Sequence, residues 1–270
     1  MRVHHLSCGT LCPYGRRLIA GEGGLGATSI VCHCLLIEAG DSLVLIDTGF
    51  GVDDMRHPYR RLGIPFTAAF RVQADTADTA IEQIRALGFD PADVRQIACT
   101  HLDIDHAGGL PDFPEAEVHV LAPERDAAVN PSLRDRPRYP SSHVAHGPNW
   151  VTHGADGDSW FGFEAIRVLP GIEAEILLIP LAGHSRGHTG IAVRDGDRWL
   201  FHCGDAYFHH GEMAEPPDCP VALRLFQTAM AFDNSSRRAN QERLRELARE
   251  RGDEVTLFCS HSEVELERVQ

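Results

Sequence analysis

The stretch THLDIDHAGG, residues 100–109, concentrates two histidines and two aspartates within six positions. Imidazole nitrogens and carboxylate oxygens are common protein ligands of divalent transition metals. The glycine pair that follows lets the backbone turn sharply, so the four side chains can face one small space. The spacing therefore predicts a metal site built from His101, Asp103, Asp105 and His106. The alternative is a set of solvated loop side chains, because a chain with 16 histidines forms chance clusters more easily.

Three further residues of the same chemical types follow apolar runs downstream. His184 lies in LAGHSRGHTG, Asp205 in FHCGD and His261 in LFCSH. Imidazoles and carboxylates at several strand ends are what a two-metal centre requires. The combination favours a two-metal site over a set of solvated histidines.

The elements that must position these residues are short strands. SIVCHCLLIEAGDSLVLIDTG, residues 29–49, predicts two strands joined by the turn EAGDS. VRQIACT, AEVHVLAP, AEILLIPLAG, RWLFHCGD and EVTLFCSH each predict one strand, and several of them end at a candidate ligand. The pattern indicates a sheet-based scaffold whose loops build a site along one edge.

Two helices and one irregular segment complete this outline. TADTAIEQIRALG has helical spacing, and NSSRRANQERLRELARERG predicts a helix with Ala239, Leu244, Leu247 and Ala248 turned inward. The segment of about 130–163 is rich in Pro, Arg, His and Trp without a clear period, which predicts a long loop or short helices near the site. We expect residues 1–270 to form a single domain.

Composition limits the partners. The formal charge of −14 argues against a nucleic-acid partner, and the absence of lysine excludes Schiff-base chemistry and a lysine-based phosphate loop. No apolar stretch reaches the length of a membrane span, and the first residues lack the pattern of a signal peptide. We therefore expect a cytoplasmic protein with reduced cysteines and without a membrane partner.

The motifs together resemble the metallo-β-lactamase superfamily. H-x-D-x-D-H-A-G-G, G-H-S-x-G-H-T, G-D and a late S-H occur in that superfamily's order, and LVLIDTG is similar to its second-strand signature. The flanking sequence looks most like the N-acyl homoserine lactone lactonases. The resemblance implies an αββα sandwich, in which two mixed sheets lie face to face, helices lie outside and metals bind at one edge.

The resemblance also implies roles for the candidate residues. His101, Asp103 and His184 would hold one metal, and Asp105, His106 and His261 the other, with Asp205 as a bridge. A hydroxide between two divalent ions, zinc by family, would attack the substrate carbonyl. Asp105 or Asp205 would carry the proton to the leaving alkoxide. Independently of the resemblance, the position of Tyr207 two residues after Asp205 suggests that it donates to the oxyanion or forms a pocket wall. His188 is expected to make supporting hydrogen bonds rather than to bind metal.

Asp103 departs from the family's motif, which has histidine at this position. Asp103 can act as a ligand, which adds a negative charge and shifts the preference from zinc toward iron or manganese. Its side chain can instead be too short to reach the metal, which leaves the first metal site weak or empty. The protein can also have lost its activity.

These features predict a dinuclear metal-dependent hydrolase that opens a lactone or a similar ester of a small-molecule substrate. The alternatives are a thioesterase, a non-haem iron oxidoreductase on the same fold, and a non-catalytic metal-binding protein. Relatives are commonly dimeric, so a homodimer is a further expectation.

Overall fold

Two β-sheets form the centre of the protein. The computed structural model describes residues 1–40, 42–169 and 174–270. The strands are β1 (Arg2–Leu11), β2 (Ile30–Ala39), β3 (Ser42–Ile46), β4 (Val72–Gln73), β5 (Val94–Ala98), β6 (Glu117–Leu121), β7 (Asn149–His153), β8 (Asp158–Trp160), β9 (Phe163–Val168), β10 (Ile176–Pro180), β11 (Thr189–Asp195), β12 (Arg198–His202) and β13 (Val255–Phe258). The predicted strands are thus confirmed, although Asp41 of the turn EAGDS lies outside the described residues.

The helices follow the same chain order. They are α1 (Arg16–Ile19), α2 (Val52–Arg56), α3 (Pro58–Arg61), α4 (Ile64–Phe70), α5 (Ala80–Ala86), α6 (Ala122–Val129), α7 (Ser141–Val144), α8 (Val221–Met230), α9 (Asn234–Arg251) and α10 (Glu263–Val269). Among the described residues, none of these helices has the length and apolarity needed to cross a bilayer.

Both sheets are mixed. The first has the order β4-β1-β2-β3-β5-β6-β7, with antiparallel pairs up to β3 and parallel pairs from β3 to β7. The second has the order β13-β12-β11-β10-β9-β8, and only its β12–β13 pair is parallel. The expected pair of mixed sheets is therefore confirmed.

Three apolar clusters separate the layers of the sandwich. Alternate residues of β2 and β3, such as Leu35 and Ile46, pack against Leu178 and Phe258 of the second sheet. The opposite faces pack outward, because strand side chains alternate between the two faces: the first sheet contacts α5 and α6, and the second contacts α9 through Leu244. The layers are helix, sheet, sheet and helix, as the αββα expectation requires.

The prediction for residues 130–163 is wrong in part. Residues 131–140 form turns, but the segment then contains α7, β7 and β8. β7 pairs with β6 and forms one edge of the first sheet. The turns before α7 carry Arg138, which reaches the candidate site.

The inward face of α9 also differs from the prediction. Leu244 and Leu247 are buried, but Ala239 is exposed, and Arg237 and Gln241 are buried instead. Both polar side chains donate to Gln227 of α8, and Gln241 also donates to Glu212. A buried polar network thus occupies the place where the apolar pattern predicted alanine.

Candidate metal centre

The candidate ligands lie at the carboxyl ends of strands. His101 follows β5, His184 follows β10, Asp205 follows β12 and His261 follows β13. β10 and β12 are both antiparallel to β11, and β13 is parallel to β12, so these three strands end at the same edge. The two sheets therefore deliver side chains from distant parts of the chain to one rim.

Asp205 lies between two pairs of histidines. Its Oδ2 is 3.6 Å from His101 Nε2 and 3.5 Å from His184 Nε2. Its Oδ1 is 3.4 Å from His106 Nε2 and 3.1 Å from His261 Nε2. The two oxygens of one carboxylate thus face two separate groups of ligand atoms, each within 4.8 Å of one another.

Asp103 and Asp105 complete the two groups. Asp103 Oδ2 is 3.1 Å from His184 Nε2 and 3.6 Å from His101 Nε2. Asp105 Oδ2 is 3.7 Å from His261 Nε2, and Asp105 Oδ1 is 3.9 Å from His106 Nε2. All seven candidate ligands are therefore brought together, which supports the assignments as a proposal. The thiol of Cys32 from β2 lies within 4.8 Å of the Asp105 and His261 ligand atoms, a neighbour that the motifs did not predict.

The residues present fit metal ions. Zinc bonds of about 2.0–2.1 Å place neighbouring ligand atoms about 3.4 Å apart in a tetrahedral arrangement, which is close to the spacings around Asp205. In the part of the chain that the structure describes, the buried Nε2 atoms of His101 and His106 and the Oδ1 atom of Asp205 have no hydrogen-bond partner. Buried polar atoms without a partner are costly, so a bound cation gives these atoms their explanation.

The outer nitrogens of three histidines are held by the protein. His106 Nδ1 donates to Asp47 Oδ2 at 2.9 Å, and His261 Nδ1 donates to the Val31 carbonyl at 2.8 Å. His101 Nδ1 donates to Thr100 Oγ1 at 2.9 Å, because this hydroxyl itself donates to Asp47. With a proton on Nδ1, the lone pair of each Nε2 points into the centre, as a metal ligand requires.

Asp47 links the LVLIDTG motif to the candidate metal centre. Its carboxylate accepts from the Thr100 amide and hydroxyl, both at 2.7 Å, as well as from His106. Burial alone would raise the pKa of Asp47, but His106 holds this pKa below its usual value. In the sequence, the IDTG motif is compatible with two roles for Asp47, orienting a metal ligand and shaping the turn before Gly49, and the contact with His106 supports the first.

His188 supports Asp205 instead of facing the centre. Its Nε2 accepts from the Asp205 amide at 2.9 Å, and its Nδ1 donates to the Leu181 carbonyl at 3.2 Å. Gly204 makes this contact feasible, because a Cβ there would lie 2.6 Å from His188 Nε2 and the residue has φ of 55°. The structure therefore agrees with the expectation that His188 makes a supporting hydrogen bond.

The centre is electrostatically polarised by its own side chains. Burial would raise the pKa of Asp205, but His261, His106 and His101 hold this pKa well below its usual value. Burial would lower the pKa of His106, but the Asp205 and Asp105 carboxylates hold this pKa well above its usual value. A bound cation and a proton therefore compete for the same nitrogen of His106.

The structure contradicts the predicted role of Tyr207. Its side chain is buried in the apolar cluster beneath α9, and its hydroxyl donates to Glu265 at 3.0 Å. Phe208, the next residue, is the one that faces the candidate ligands, because its ring stacks on His261 with centroids 5.0 Å apart. An aromatic wall replaces the expected oxyanion donor.

Replacement of Tyr207 by phenylalanine is therefore expected to cost stability but not catalysis. Glu265 is buried and would lose one donor, so we expect unfolding to become easier by about 1 kcal/mol. The value of kcat should change by less than about twofold, since the hydroxyl does not reach the ligands. Urea unfolding and steady-state kinetics measure the two effects. A large fall in kcat at unchanged stability would restore the oxyanion role.

Glu124 joins the two ligand-bearing loops. This fully buried carboxylate on α6 accepts from the Leu102 amide at 3.1 Å and from the Gly187 amide at 2.9 Å. It also accepts from the Ser185 hydroxyl at 2.7 Å and the Tyr139 hydroxyl at 3.0 Å. No local motif marks Glu124 in the sequence, because its partners are 15 to 63 residues away.

Loss of the Glu124 carboxylate is expected to loosen both loops. Glu124→Ala leaves four buried donors without their acceptor, so we expect a loss of about 3 kcal/mol in the free energy of unfolding. Urea denaturation measures this loss. Glu117→Ala, at an exposed position of β6, is the matched control and should change stability by less than about 0.5 kcal/mol. Equal stability of the two variants would contradict the role of Glu124.

Fold and site define a class: a four-layer α/β sandwich with a cluster of metal-ligand side chains at one sheet edge. The chain belongs to the metallo-β-lactamase superfamily, whose family model matches residues 28–261. The superfamily binds divalent metals, usually at a dinuclear zinc site. The expected family resemblance is thereby confirmed.

Individual relatives agree with this assignment. A probable metallo-hydrolase of Mycobacterium tuberculosis is 41% identical over 97% of this chain and 80% of its own length. The N-acyl homoserine lactonase AttM of Rhizobium radiobacter is 26% identical over 72% of this chain and 71% of its own length. The solved structure of an N-acyl homoserine lactone hydrolase with the product N-hexanoyl-L-homoserine has a TM-score of 0.74, at 18% identity and coverage of 99% of this chain and 96% of that one. That likeness establishes the fold.

Proposed function

We propose that this chain is a metal-dependent hydrolase that opens a lactone or a similar ester of a small-molecule substrate. One observation carries the proposal: the Asp205 carboxylate faces His101 and His184 with one oxygen, and His106 and His261 with the other. A single carboxylate between two groups of imidazoles is the arrangement of a two-metal centre rather than of an isolated ion.

The proposed ligands divide around Asp205. His101, Asp103 and His184 would hold the first divalent ion, and Asp105, His106 and His261 would hold the second. The family favours zinc for both. When bound, two such ions supply Lewis-acid polarisation of a carbonyl and a water of lowered pKa.

The chain's own residues orient the reaction. The Nδ1 hydrogen bonds of His101, His106 and His261 fix their rings. The buried ring of Phe208 stacks on the His261 ring and so also limits its rotation. The Asp105 side chain keeps 14% of its surface exposed, against 4% for Asp205, so we assign to Asp105 the transfer of a proton to the leaving alkoxide.

The lactone substrate is supported by similarity. The relative AttM carries the name of an N-acyl homoserine lactonase. A fold accommodates many activities, so the nature of the acyl group and of the ring is part of the proposal. Carboxylic esters share with lactones the carbonyl attack and the alkoxide leaving group.

Substrate profiling of the zinc-loaded protein tests this proposal. Purified protein is assayed with N-acyl homoserine lactones, simple aryl esters, thioesters and β-lactams, with the metal-free protein as control. We expect metal-dependent opening of lactones or esters above the rate for the other classes. Full metal loading without turnover of any class would contradict the proposal and favour a non-catalytic metal-binding protein. Oxygen consumption by the iron-loaded protein would favour an oxidoreductase.

A further inference from the structure

A buried arginine holds the aspartate that replaces the motif's histidine. Arg138 Nε donates to Asp103 Oδ1 at 2.8 Å and to Oδ2 at 3.1 Å, and Arg138 Nη2 donates to Oδ2 at 2.6 Å. Nη1 donates to the carbonyls of His184 and Met230, both at 2.9 Å. Only 8% of the arginine side chain is exposed. The guanidinium is thus fixed on both sides, and so is the carboxylate.

The oxygen that Arg138 binds most closely, Asp103 Oδ2, also lies in a ligand position. Asp103 Oδ2 is 3.1 Å from His184 Nε2 and 3.6 Å from His101 Nε2. Asp205 Oδ2 has nearly the same spacing to these two nitrogens, 3.5 and 3.6 Å. All four distances are near the separation of about 3.4 Å expected between two ligand atoms on one zinc ion. Asp103 is therefore long enough, provided that Arg138 holds it in this orientation.

The Asp103–Arg138 pair also determines the net charge of the first ligand set. Aspartate in place of histidine adds one negative charge to the first ligand set, and the guanidinium of Arg138 cancels it within hydrogen-bond distance. A carboxylate that accepts hydrogen bonds from an arginine donates electron density to a metal more weakly than a free carboxylate does. The pair therefore has the net charge of a neutral imidazole and offers the metal one donor atom, Oδ2, which also accepts from Arg138 Nε and Nη2.

We propose that Asp103 and Arg138 act together as one neutral ligand unit in the first metal site. Arg138 is a positioning residue in this unit: it orients Asp103 and removes the added charge, so that the site retains a preference for zinc. This inference rests on the proposed metal-dependent function. It replaces the expectation that Asp103 by itself moves the site toward iron or manganese.

The two residues are therefore coupled, and restoring the family's histidine alone is harmful. In Asp103→His, the guanidinium loses its carboxylate and lies as an uncompensated cation beside a dication. We expect the zinc affinity of the first site to fall about 10–100-fold. The double variant Asp103→His with Arg138→Met removes that cation and should recover the affinity to within about threefold of the natural protein.

The same coupling predicts a change of selectivity in Arg138→Met. This variant frees the carboxylate and its charge, so the preference for zinc over manganese should fall about tenfold. Arg134→Met is the matched control, because Arg134 lies on the same turns and donates to the Ala231 carbonyl, but its side chain does not donate to Asp103. Its zinc affinity and its selectivity should equal those of the natural protein.

Competition titrations with a chromophoric zinc chelator, combined with elemental analysis, measure both effects for each intact chain. Circular dichroism and the melting temperature of each metal-free variant check the fold. Where Asp103→His does not fold, Asp103→Asn takes its place, with an expected loss of about tenfold in zinc affinity.

Two zinc ions in Asp103→His at unchanged affinity, or additive effects in the double variant, would overturn the ligand unit. If the natural protein binds no metal, both the unit and the proposed function fail. If it binds two ions but hydrolyses no substrate, only the function fails.

Discussion

Asp205→Asn is expected to lower kcat/KM for the ester or lactone substrate by about three orders of magnitude. The asparagine keeps one oxygen, but it loses the negative charge that faces both pairs of histidines. Loss of the shared ligand removes the electrostatic help of a two-metal centre, which is worth several kcal/mol. A loss of about 4 kcal/mol corresponds to about a 10³-fold lower rate. Steady-state kinetics beside metal content measure the effect.

A charge-matched control separates this effect from a general loss of charge. Asp126→Asn on α6 changes a carboxylate whose side chain is 64% exposed and should leave kcat/KM within about twofold. Asp205→Asn should also carry less metal after dialysis against chelator. If Asp205→Asn retained more than about a tenth of the activity, Asp205 would not be a bridging ligand.

Removal of metal is expected to lower the melting temperature by about 10 °C. Three carboxylates and four histidines crowd one buried rim, and a bound dication compensates the negative charges that the structure brings together there. Ligand at about 1,000 times its dissociation constant stabilises the folded state by about 4 kcal/mol. For a chain of this size, each kcal/mol shifts the melting temperature by about 2–4 °C.

Scanning calorimetry of the metal-free and zinc-reloaded protein measures this shift. Asp205→Asn serves as the comparison. Because this variant binds zinc more weakly, the same concentration of free zinc should raise its melting temperature by less than half as much. Equal melting temperatures with and without zinc in the natural protein would mean that the rim is stable without a cation, and the metal proposal would then lose its structural basis.

The strand ends were predictable from the sequence because their signals are local. Each of His101, His184, Asp205 and His261 follows a short apolar run, and such a run predicts a strand whatever it pairs with. The recurrence of ligand types at strand ends indicated a site at one sheet edge, but the division of the ligands between two metals came from the family resemblance, since the order of the strands in a sheet is not a local property. The structure agrees with both.

Other parts depend on contacts that no local pattern reports. Arg138 lies 35 residues from Asp103, within a segment predicted to be a loop, and nothing in its neighbourhood distinguishes it from a surface arginine. Tyr207 was assigned from its distance of two positions from Asp205, but the turn after β12 directs Phe208 toward the ligands. On α9, Ala239 fits the apolar period, yet the neighbouring buried network is polar.

The Glu124 carboxylate has a consequence for engineering this scaffold. It accepts from the backbone of one motif at Leu102 and of the other at Gly187, and it also binds Tyr139, the neighbour of Arg138. The two loops and the arginine-bearing turns are thus mechanically joined at a single point. A loop grafted from another family member would lack these hydrogen bonds. A loop exchange must therefore transfer Glu124, Tyr139 and Ser185 together.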